Sequence, residues 1–473
     1  MGFIIRLAVL AAVLTATNSA ATDLTGIVSV EECLRIALQN RPELAAAGAR
    51  IEAAGQRVRR ARSRFMPQIG ASYSFTRQKQ TLSSLVGGPS GGSTNLGICQ
   101  GGPRPGSLCS RDSNCGTGGS CFIRVVDVQT NQSSEFNFHR GTFALDQLVF
   151  DFGKVMNQSR EASALQDSVE AERVATEQLV VLDVKAAYYT LIAASRLVTV
   201  AEDTEAQTRR QLEESRSRYE VGSAPRFDVT QQEVQVANAE LARLTARNQV
   251  ALGRENLRNS MGLSEPIHFD PNDDTLDYRT VRVHEEEAVD EAFARRPELR
   301  TVAALKQAQR QQIMGLRKDY LPLVGGTANY NWTGSDAPED ESWLIGANLT
   351  LLIFDGGRTG AQVGESRAEL LRLEADERIA RQRVVLEVRQ SILDLRVAEQ
   401  SIRVAAKAVD QGSESLAIAE GRYSAGVGNI LEVSDAQVGL ARARADHVQS
   451  LADYWVSVAQ LEHAVGAPLQ VLD

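Results

Sequence analysis

Two periodicities divide the chain. Ile69, Ala71, Tyr73 and Phe75 alternate with Gly70, Ser72, Ser74 and Thr76, a period of two that predicts a strand with one apolar and one small polar face. The same period returns at Val324, Ala328, Tyr330 and Trp332, and again at Trp343, Ile345, Ala347, Leu349, Leu351 and Ile353. A fourth strand reads from Phe136 to Leu148, with its alternation changing phase near Arg140. Elsewhere the period is helical. From about Val155 to Arg218, and from about Gly360 to Arg422, the chain is rich in Ala, Leu, Val, Glu, Gln and Arg and has no proline. Such a run of roughly 60 residues measures about 90 Å as one helix, far more than an ordinary globular helix. Leu179, Leu182, Ala186 or Ala187, Leu191 and Val198 recur at steps of three and four, the spacing of a coiled-coil seam.

Each long run ends in a turn, Tyr219 to Pro225 or Tyr423 to Asn429, and a returning helix of about 35 residues follows, ending at Met261-Gly262 or Val465-Gly466. A further helix precedes each strand pair, near Val30 to Arg64 and near Glu285 to Arg317; Ser29-Val30-Glu31-Glu32 opens the first as a capping box. Together, the preceding and returning helices add up to about the length of the long one, so they are expected to stack end to end beside it.

The order repeats because the sequence does. Asn40-Arg41-Pro42-Glu43-Leu44 returns as Arg295-Arg296-Pro297-Glu298-Leu299, and Phe65-Met66-Pro67 as Tyr320-Leu321-Pro322, both with a shift of 255. Phe150-Asp151-Phe152-Gly153 matches Phe354-Asp355-Gly356-Gly357, Arg218-Tyr219-Glu220-Val221-Gly222 matches Arg422-Tyr423-Ser424-Ala425-Gly426, and Gly262 matches Gly466, all with a shift of 204. The difference of 51 residues is an insertion in the first copy between Pro67 and Phe150. The expected organisation is a signal segment at 1–21, a first repeat at 22–263 with a Cys-rich loop at about 80–135, a linker at 264–284, a second repeat at 285–467 and a tail at 468–473.

Composition narrows the class. A formal net charge of −9 argues against nucleic-acid binding by bulk charge, and 43% hydrophobic residues argue against a disordered polyelectrolyte. Arg6, the apolar stretch Leu7 to Leu14 and the small residues Ser19, Ala20 and Ala21 read as a secretory signal. No Cys follows the expected cleavage point, which argues against a lipid anchor. Beyond it no apolar run approaches the roughly 20 residues of a membrane-spanning helix. Four of five cysteines, Cys99, Cys109, Cys115 and Cys121, lie in the insertion; in a secreted chain they predict two disulfides with three possible connectivities. A zinc site is the rival reading, weakened by the absence of a tight C-x2-C pair. Cys33 reads as a small core residue.

Four strands of about 10 to 13 residues are long enough to cross a bilayer at a tilt. Alone they would leave two raw edges in lipid, so closure requires several chains: two would supply eight strands, three would supply twelve. The R-P-E-L and Phe/Tyr-x-Pro segments, the Phe-Asp-x-Gly segments and the Arg-Tyr-x-x-Gly turns, each present twice and in order, resemble the TolC-like outer-membrane efflux protein family over nearly the whole mature chain. The resemblance implies an α+β membrane channel in which each protomer gives four transmembrane strands and long antiparallel coiled-coil helices. It further implies a homotrimer whose twelve-stranded barrel in outer-membrane lipid continues into a periplasmic α-helical barrel. Helical tips would dock a periplasmic adaptor serving an inner-membrane pump, proton-driven or ATP-driven.

By the same resemblance, Glu432 and Asp435 fall at the constriction of the closed channel. At (i, i+3) they can share a helix side, and three copies would place six carboxylates around one axis, attracting cations and resisting complete ionisation. Asp228 and Tyr423 are the implied partners of a lock at the tips, and the basic residue expected opposite Asp228 falls on Gly428. Val221, Gly222, Ser223, Ala425, Gly426 and Val427 are the expected adaptor-docking tips. No catalytic constellation, metal site or cofactor motif competes: His139, His268, His284, His447 and His463 show no H-E-x-x-H spacing, and no Walker or dinucleotide fingerprint occurs. Drug efflux, metal efflux and type I protein export remain equally compatible, as does, in a different class, a secreted structural coiled coil. Of 13 Phe, 9 Tyr and 3 Trp, more than half fall in the four strand regions, which leaves the helical runs nearly bare of rings.

Overall fold

A computed structural model describes residues 26–81, 97–123, 133–267, 269–335 and 340–469. The signal segment expected at 1–21, residues 470–473 of the tail, His268 and parts of the Cys-rich loop lie outside the described residues. The first repeat runs β1 (Gly26–Val28), α1 (Val30–Asn40), α2 (Pro42–Arg62), β2 (Gln68–Thr81), then β3 (Gly97–Gly101), β4 (Leu108–Cys109) and β5 (Gly119–Ile123) in the insertion. It continues with β6 (Ser133–Phe150), α3 (Lys154–Glu220) and α4 (Arg226–Ser260). After β7 (Phe269–Pro271) the second repeat runs α5 (Glu285–Arg295), α6 (Pro297–Arg317), β8 (Leu323–Gly334), β9 (Asp340–Thr350), α7 (Arg358–Ser424) and α8 (Ile430–Val465). The chain divides into a helical unit (Met1–Ala61, Asn157–Met314, Gly360–Asp473) and a sheet unit (Arg62–Met156, Gly315–Thr359).

In the helical unit α3 and α7 each have 67 residues, about 100 Å at 1.5 Å per residue. The helices expected before the strands are not continuous: Arg41 (ψ 120°) and Arg296 (ψ 121°) are extended and split each one in two. The cause is the following proline, which bars its predecessor from the helical region yet fits the first turn of the next helix. Ser29 Oγ accepts the Glu32 N–H at 3.4 Å, while the Glu32 carboxylate takes Arg35 instead of completing the capping box.

The R-P-E motif acquires a physical meaning at these breaks. Arg41 Nη1 donates to the Asn259 carbonyl at the end of α4 (2.8 Å), Nη2 to Asp183 of α3 (3.0 Å), and Nε lies 3.1 Å from Glu43. Arg296 repeats every contact, donating to the His463 carbonyl of α8 (3.0 Å) and to Glu387 of α7, with Glu298 3.1 Å from Nε. Each arginine thus caps a returning helix, pairs with the long helix and is held by the glutamate two residues on. Gly262 (φ 70°) ends this stack against the Asn40 carbonyl, where a Cβ would approach to 2.9 Å.

Residues 264–284 do more than link the repeats. β7 pairs in parallel with β1, and the segment is pinned by Tyr454, whose hydroxyl donates to the Arg279 carbonyl (2.6 Å), and by Trp455, whose Nε1 donates to that of Asp277 (3.3 Å). Tyr188 donates to the Val28 carbonyl and accepts from Asn272 N–H, both at 2.9 Å. Tyr189 stacks on Trp455. The helical runs, read as nearly bare of rings, therefore gather Tyr188, Tyr189, Tyr454 and Trp455 in one core. The buried seam of α3 there is Val180, Val184, Tyr188, Leu191 and Ile192, whereas Leu179, expected in the seam, is half exposed.

The larger sheet of the sheet unit is antiparallel in the order β2-β6-β8-β9, with strands of 14, 18, 12 and 11 residues. β9 ends at Thr350, so Leu351 and Ile353 lie beyond the strand expected to contain them. Register places Ile69, Ala71, Tyr73 and Phe75 beside Leu145, Phe143, Gly141 and His139, and next to these Ala328, Tyr330 and Trp332. The other face carries Gly70, Ser72, Ser74, Ala144, Thr142, Asn329 and Asn331. The phase change read near Arg140 produces no slip, since β2 and β6 stay paired from Gln68↔Asp146 to Thr81↔Ser133. The irregularity lies between Leu148 and Phe150, where one residue bulges against β8. A Cβ on Gly141 would fall 2.0 Å from the Trp332 ring, so only glycine admits that ring across the strand.

In the insertion, β4-β3-β5 form a small sheet stapled by Cys99–Cys115 and Cys109–Cys121, one of the three open connectivities. All four thiols of the zinc alternative are thereby consumed. Cys33 is free and buried, and burial pushes its thiol up to about 12.

Candidate functional site

The helix-reversal turns are built by their glycines. Gly222 N–H donates to the Tyr219 carbonyl (2.9 Å) and Ser223 N–H to that of Arg218 (2.8 Å); Gly426 and Val427 repeat this on Tyr423 and Arg422 (3.1 and 3.0 Å). Both glycines have φ of 73°, the left-handed conformation that closes such a cap. Val221, Gly222, Ser223, Ala425, Gly426 and Val427 are all exposed, and the two valines are more than two-thirds so. Pro225 then starts α4 and Asn429 starts α8, its Oδ1 accepting the Glu432 N–H at 3.0 Å.

Just above the turns the two hairpins meet. The Tyr423 hydroxyl donates to Asp228 Oδ2 at 3.1 Å, with both residues buried. Burial raises the pKa of the hydroxyl above its ordinary value, and the hydrogen bond to Asp228 adds to the shift. Gly428, where the resemblance placed a basic residue, packs against the chain itself: its N–H donates to the Arg422 carbonyl, and a Cβ would come within 2.9 Å of Arg422. The cation at this contact is Arg218 of α3, whose guanidinium lies 4.7 Å from the Tyr423 ring centre and donates to the Tyr423 carbonyl at 3.2 Å. Arg218 belongs to the first Arg-Tyr-x-x-Gly turn and Tyr423 to the second. The motif held both residues, yet nothing in its spacing said that the arginine of one copy covers the tyrosine of the other.

A second tie was not expected from sequence. Gln232 Nε2 of α4 donates to Ser434 Oγ of α8 at 2.9 Å, both buried. Gln232 Oε1 and both amide atoms of Gln437 are buried with no hydrogen-bond partner among the described residues. Glu432 and Asp435 are both exposed on α8, and they differ: Arg422 pairs with Glu432 at 3.2 Å, whereas no cation pairs with Asp435 among the described residues.

A family model described as "Outer membrane efflux protein" matches residues 33–263 and 288–467. The chain belongs to the outer membrane efflux protein family. Its match skips most of the segment between the repeats, as the doubled sequence motifs would require. Outer membrane protein TolC of Escherichia coli (strain K12) is 22% identical over 449 residues, covering 90% of this chain and 80% of the relative. A membrane protein from Pseudomonas aeruginosa superposes with a TM-score of 0.74 at 19% identity, covering 92% of each chain. VceC of Vibrio cholerae does so at 0.69 and 18% identity, covering 93% of this chain and 96% of the other. The fold is that of the TolC-like outer-membrane channels, an α+β architecture, and the family is one of transport proteins, not enzymes.

Proposed function

We propose that three copies of this chain form an outer-membrane channel, the exit duct of a tripartite efflux or export system fed by a periplasmic adaptor and an inner-membrane pump. The observation that carries this is the two-faced antiparallel sheet whose edges, β2 and β9, have no neighbouring strand among the described residues. Its apolar face runs from Ile69 to Phe75, six residue steps or about 20 Å, and gives way to the Arg77–Glu135 pair (2.9 Å). That is close to the height of a lipid-facing band, and in lipid an unpaired edge amide costs several kcal/mol. Three sheets joined β9 to β2 remove every edge and turn the small polar face inward.

The helical unit supports the same head-to-tail closure. Leu386, Leu393, Val397 and Val404 of α7 and Phe227, Val234, Leu241 and Leu244 of α4 are at least half exposed and spaced by sevens and threes or fours, two coiled-coil seams with no helix on them among the described residues. The α7 seam begins beside the arginine-capped break and the α4 seam lies nearer the turn, so each is left for a helix of a neighbouring copy to cover. At the tips, the exposed glycine turns suit adaptor docking, and Asp435 and Glu432 suit a cation-attracting constriction. The Tyr423–Asp228 contact would hold the hairpins shut, and the incompletely satisfied polar groups around Gln232 and Gln437 lower the cost of parting them.

The test is purification of the full chain from outer membranes. A detergent-dependent particle of about three times the 51.4 kDa chain, forming ion-conducting pores in planar bilayers, is the expected result. A monomer that needs no detergent and conducts nothing would refute the proposal and favour a structural coiled coil.

A further inference from the structure

Phe138 and Arg140 break the pattern of the small polar face. β6 keeps its register through both residues, so they are forced onto the side that carries Ser72, Ser74 and Thr142. What fixes the register is on the opposite side: the Tyr73 hydroxyl and His139 Nδ1 share a hydrogen bond of 2.6 Å, and the Phe75 ring lies 4.9 Å from the His139 ring. A slip of one residue would return Phe138 to the apolar side and break both contacts.

On the polar side the Arg140 guanidinium sits over the Phe138 ring, 5.2 Å from its centre. Its neighbours across the strands are Ser74 and Thr333, which are neutral. No carboxylate among the described residues pairs with it; Asp340 is in the same row but two strands away, about 10 Å at ordinary strand spacing. Arg140 is exposed and Phe138 partly so. A guanidinium held over a ring, with no carboxylate on it, leaves its donors available to grip a carboxylate with two bonds. The ring margin beside it offers a surface on which a second aromatic ring can stack.

We propose that Arg140 and Phe138 form an anion-recognition site on the wall of the conduit, suited to aromatic carboxylates. This rests on the channel reading above, which turns the polar face inward. Three copies would place three such sites in one row at the level of Ser74, midway along the β2–β6 pair. The site would favour aromatic acids over neutral solutes of similar size.

The experiment is single-channel recording in planar bilayers with potassium benzoate added against a potassium chloride background. In the native channel benzoate should reduce the current at concentrations where added chloride does not. Arg140→Gln should weaken that block about tenfold, the loss expected for a charge-assisted pair. Phe138→Leu should weaken it roughly threefold, and Arg140→Lys, which keeps the charge but not the fork, should fall between native and Arg140→Gln. If Arg140→Gln fails to assemble, the lysine variant decides: block equal to native overturns the proposal. Arg140→Cys adds a check after assembly, because the natural cysteines are buried or disulfide-bonded. A cationic thiol reagent should restore block and a neutral one should not. Pores whose benzoate block is unchanged by Arg140→Gln refute the site while leaving the channel standing. The absence of any pore in the native protein refutes both.

Discussion

Replacing Tyr423 by Phe removes one oxygen and keeps the packing, which isolates the tie between the α3–α4 and α7–α8 hairpins. Tyr423 is 6% and Asp228 8% exposed, so the carboxylate that loses its donor has little access to water as a substitute. A hydrogen bond to a charged group contributes about 1.5–3 kcal/mol, so the closed arrangement should lose about 10- to 150-fold in population per hairpin pair. The assay is open probability in planar bilayers for the native channel, Tyr423→Phe, Asp228→Asn and the double variant. The single variants should each raise open probability, Asp228→Asn less because its amide oxygen can still accept the hydroxyl, and the double variant should add little to Tyr423→Phe, because both act on the same bond. If the two effects simply sum, with a coupling below about 0.5 kcal/mol, the hydroxyl and the carboxylate act independently and the latch reasoning fails. Arg218→Met provides a graded control: loss of the guanidinium over the ring should raise open probability less than Tyr423→Phe does, consistent with about 0.5–1 kcal/mol for such a contact near the surface.

Other expectations concern stability and assembly. Gly141→Ala would set a methyl group 2.0 Å from the Trp332 ring, so heat-modifiable trimers on gels should be lost or melt earlier, whereas Gly70→Ala, with nothing within 4 Å, should leave them unchanged. Cys99→Ser with Cys115→Ser opens a closed loop of 16 residues and should destabilise the inserted module by about 3 kcal/mol, seen as faster proteolysis within 97–123 while pore conductance is retained. Burial, followed by the nearby Arg296 charge, lowers the pKa of His463 below its usual value. The unfolded chain therefore binds the extra proton first, and the stability this site provides is complete above pH ~6.5 and lost as pH falls from there towards the folded pKa. His463→Gln should flatten that part of a melting-temperature profile between pH 7.5 and 5; an unaltered slope would show that the imidazole is not its source.

Much of the architecture could be read from the chain because it is local and doubled. A period of two, a period near 3.6 and two copies in the same order determined the strands, the 67-residue helices and the turns. Even here, Pro42 and Pro297 were visible as residues while their effect, a break at Arg41 and Arg296, depends on a competition between helix continuation and the returning helix that each arginine caps. The seam on α3 moved from Leu179 to Val180 and Val184 because spacing identifies a stripe but only neighbouring helices choose which flank is covered.

The site residues show the same division. Sequence alone located Tyr423, Asp228, Glu432 and Asp435 near the turns, since a turn is a local event. That Arg218 covers Tyr423, that Gln232 reaches Ser434 across 202 positions, and that Arg422 takes Glu432 while Asp435 stays unpaired were decided by how four helices approach one another. The pairing of Cys99 with Cys115 was likewise one of three until the folded insertion set their Cα atoms 5.4 Å apart, even though the strand register places Cys99 opposite Cys121. Phe138 and Arg140 mark the limit most clearly: sequence recorded a disturbed alternation, but only the pairing of β2 with β6, held by Tyr73 and His139, determined that the disturbance puts a cation and a ring on the polar face instead of a bulge. Local periodicity determines what an element is, and long-range hydrogen bonding determines which way each of its side chains must face.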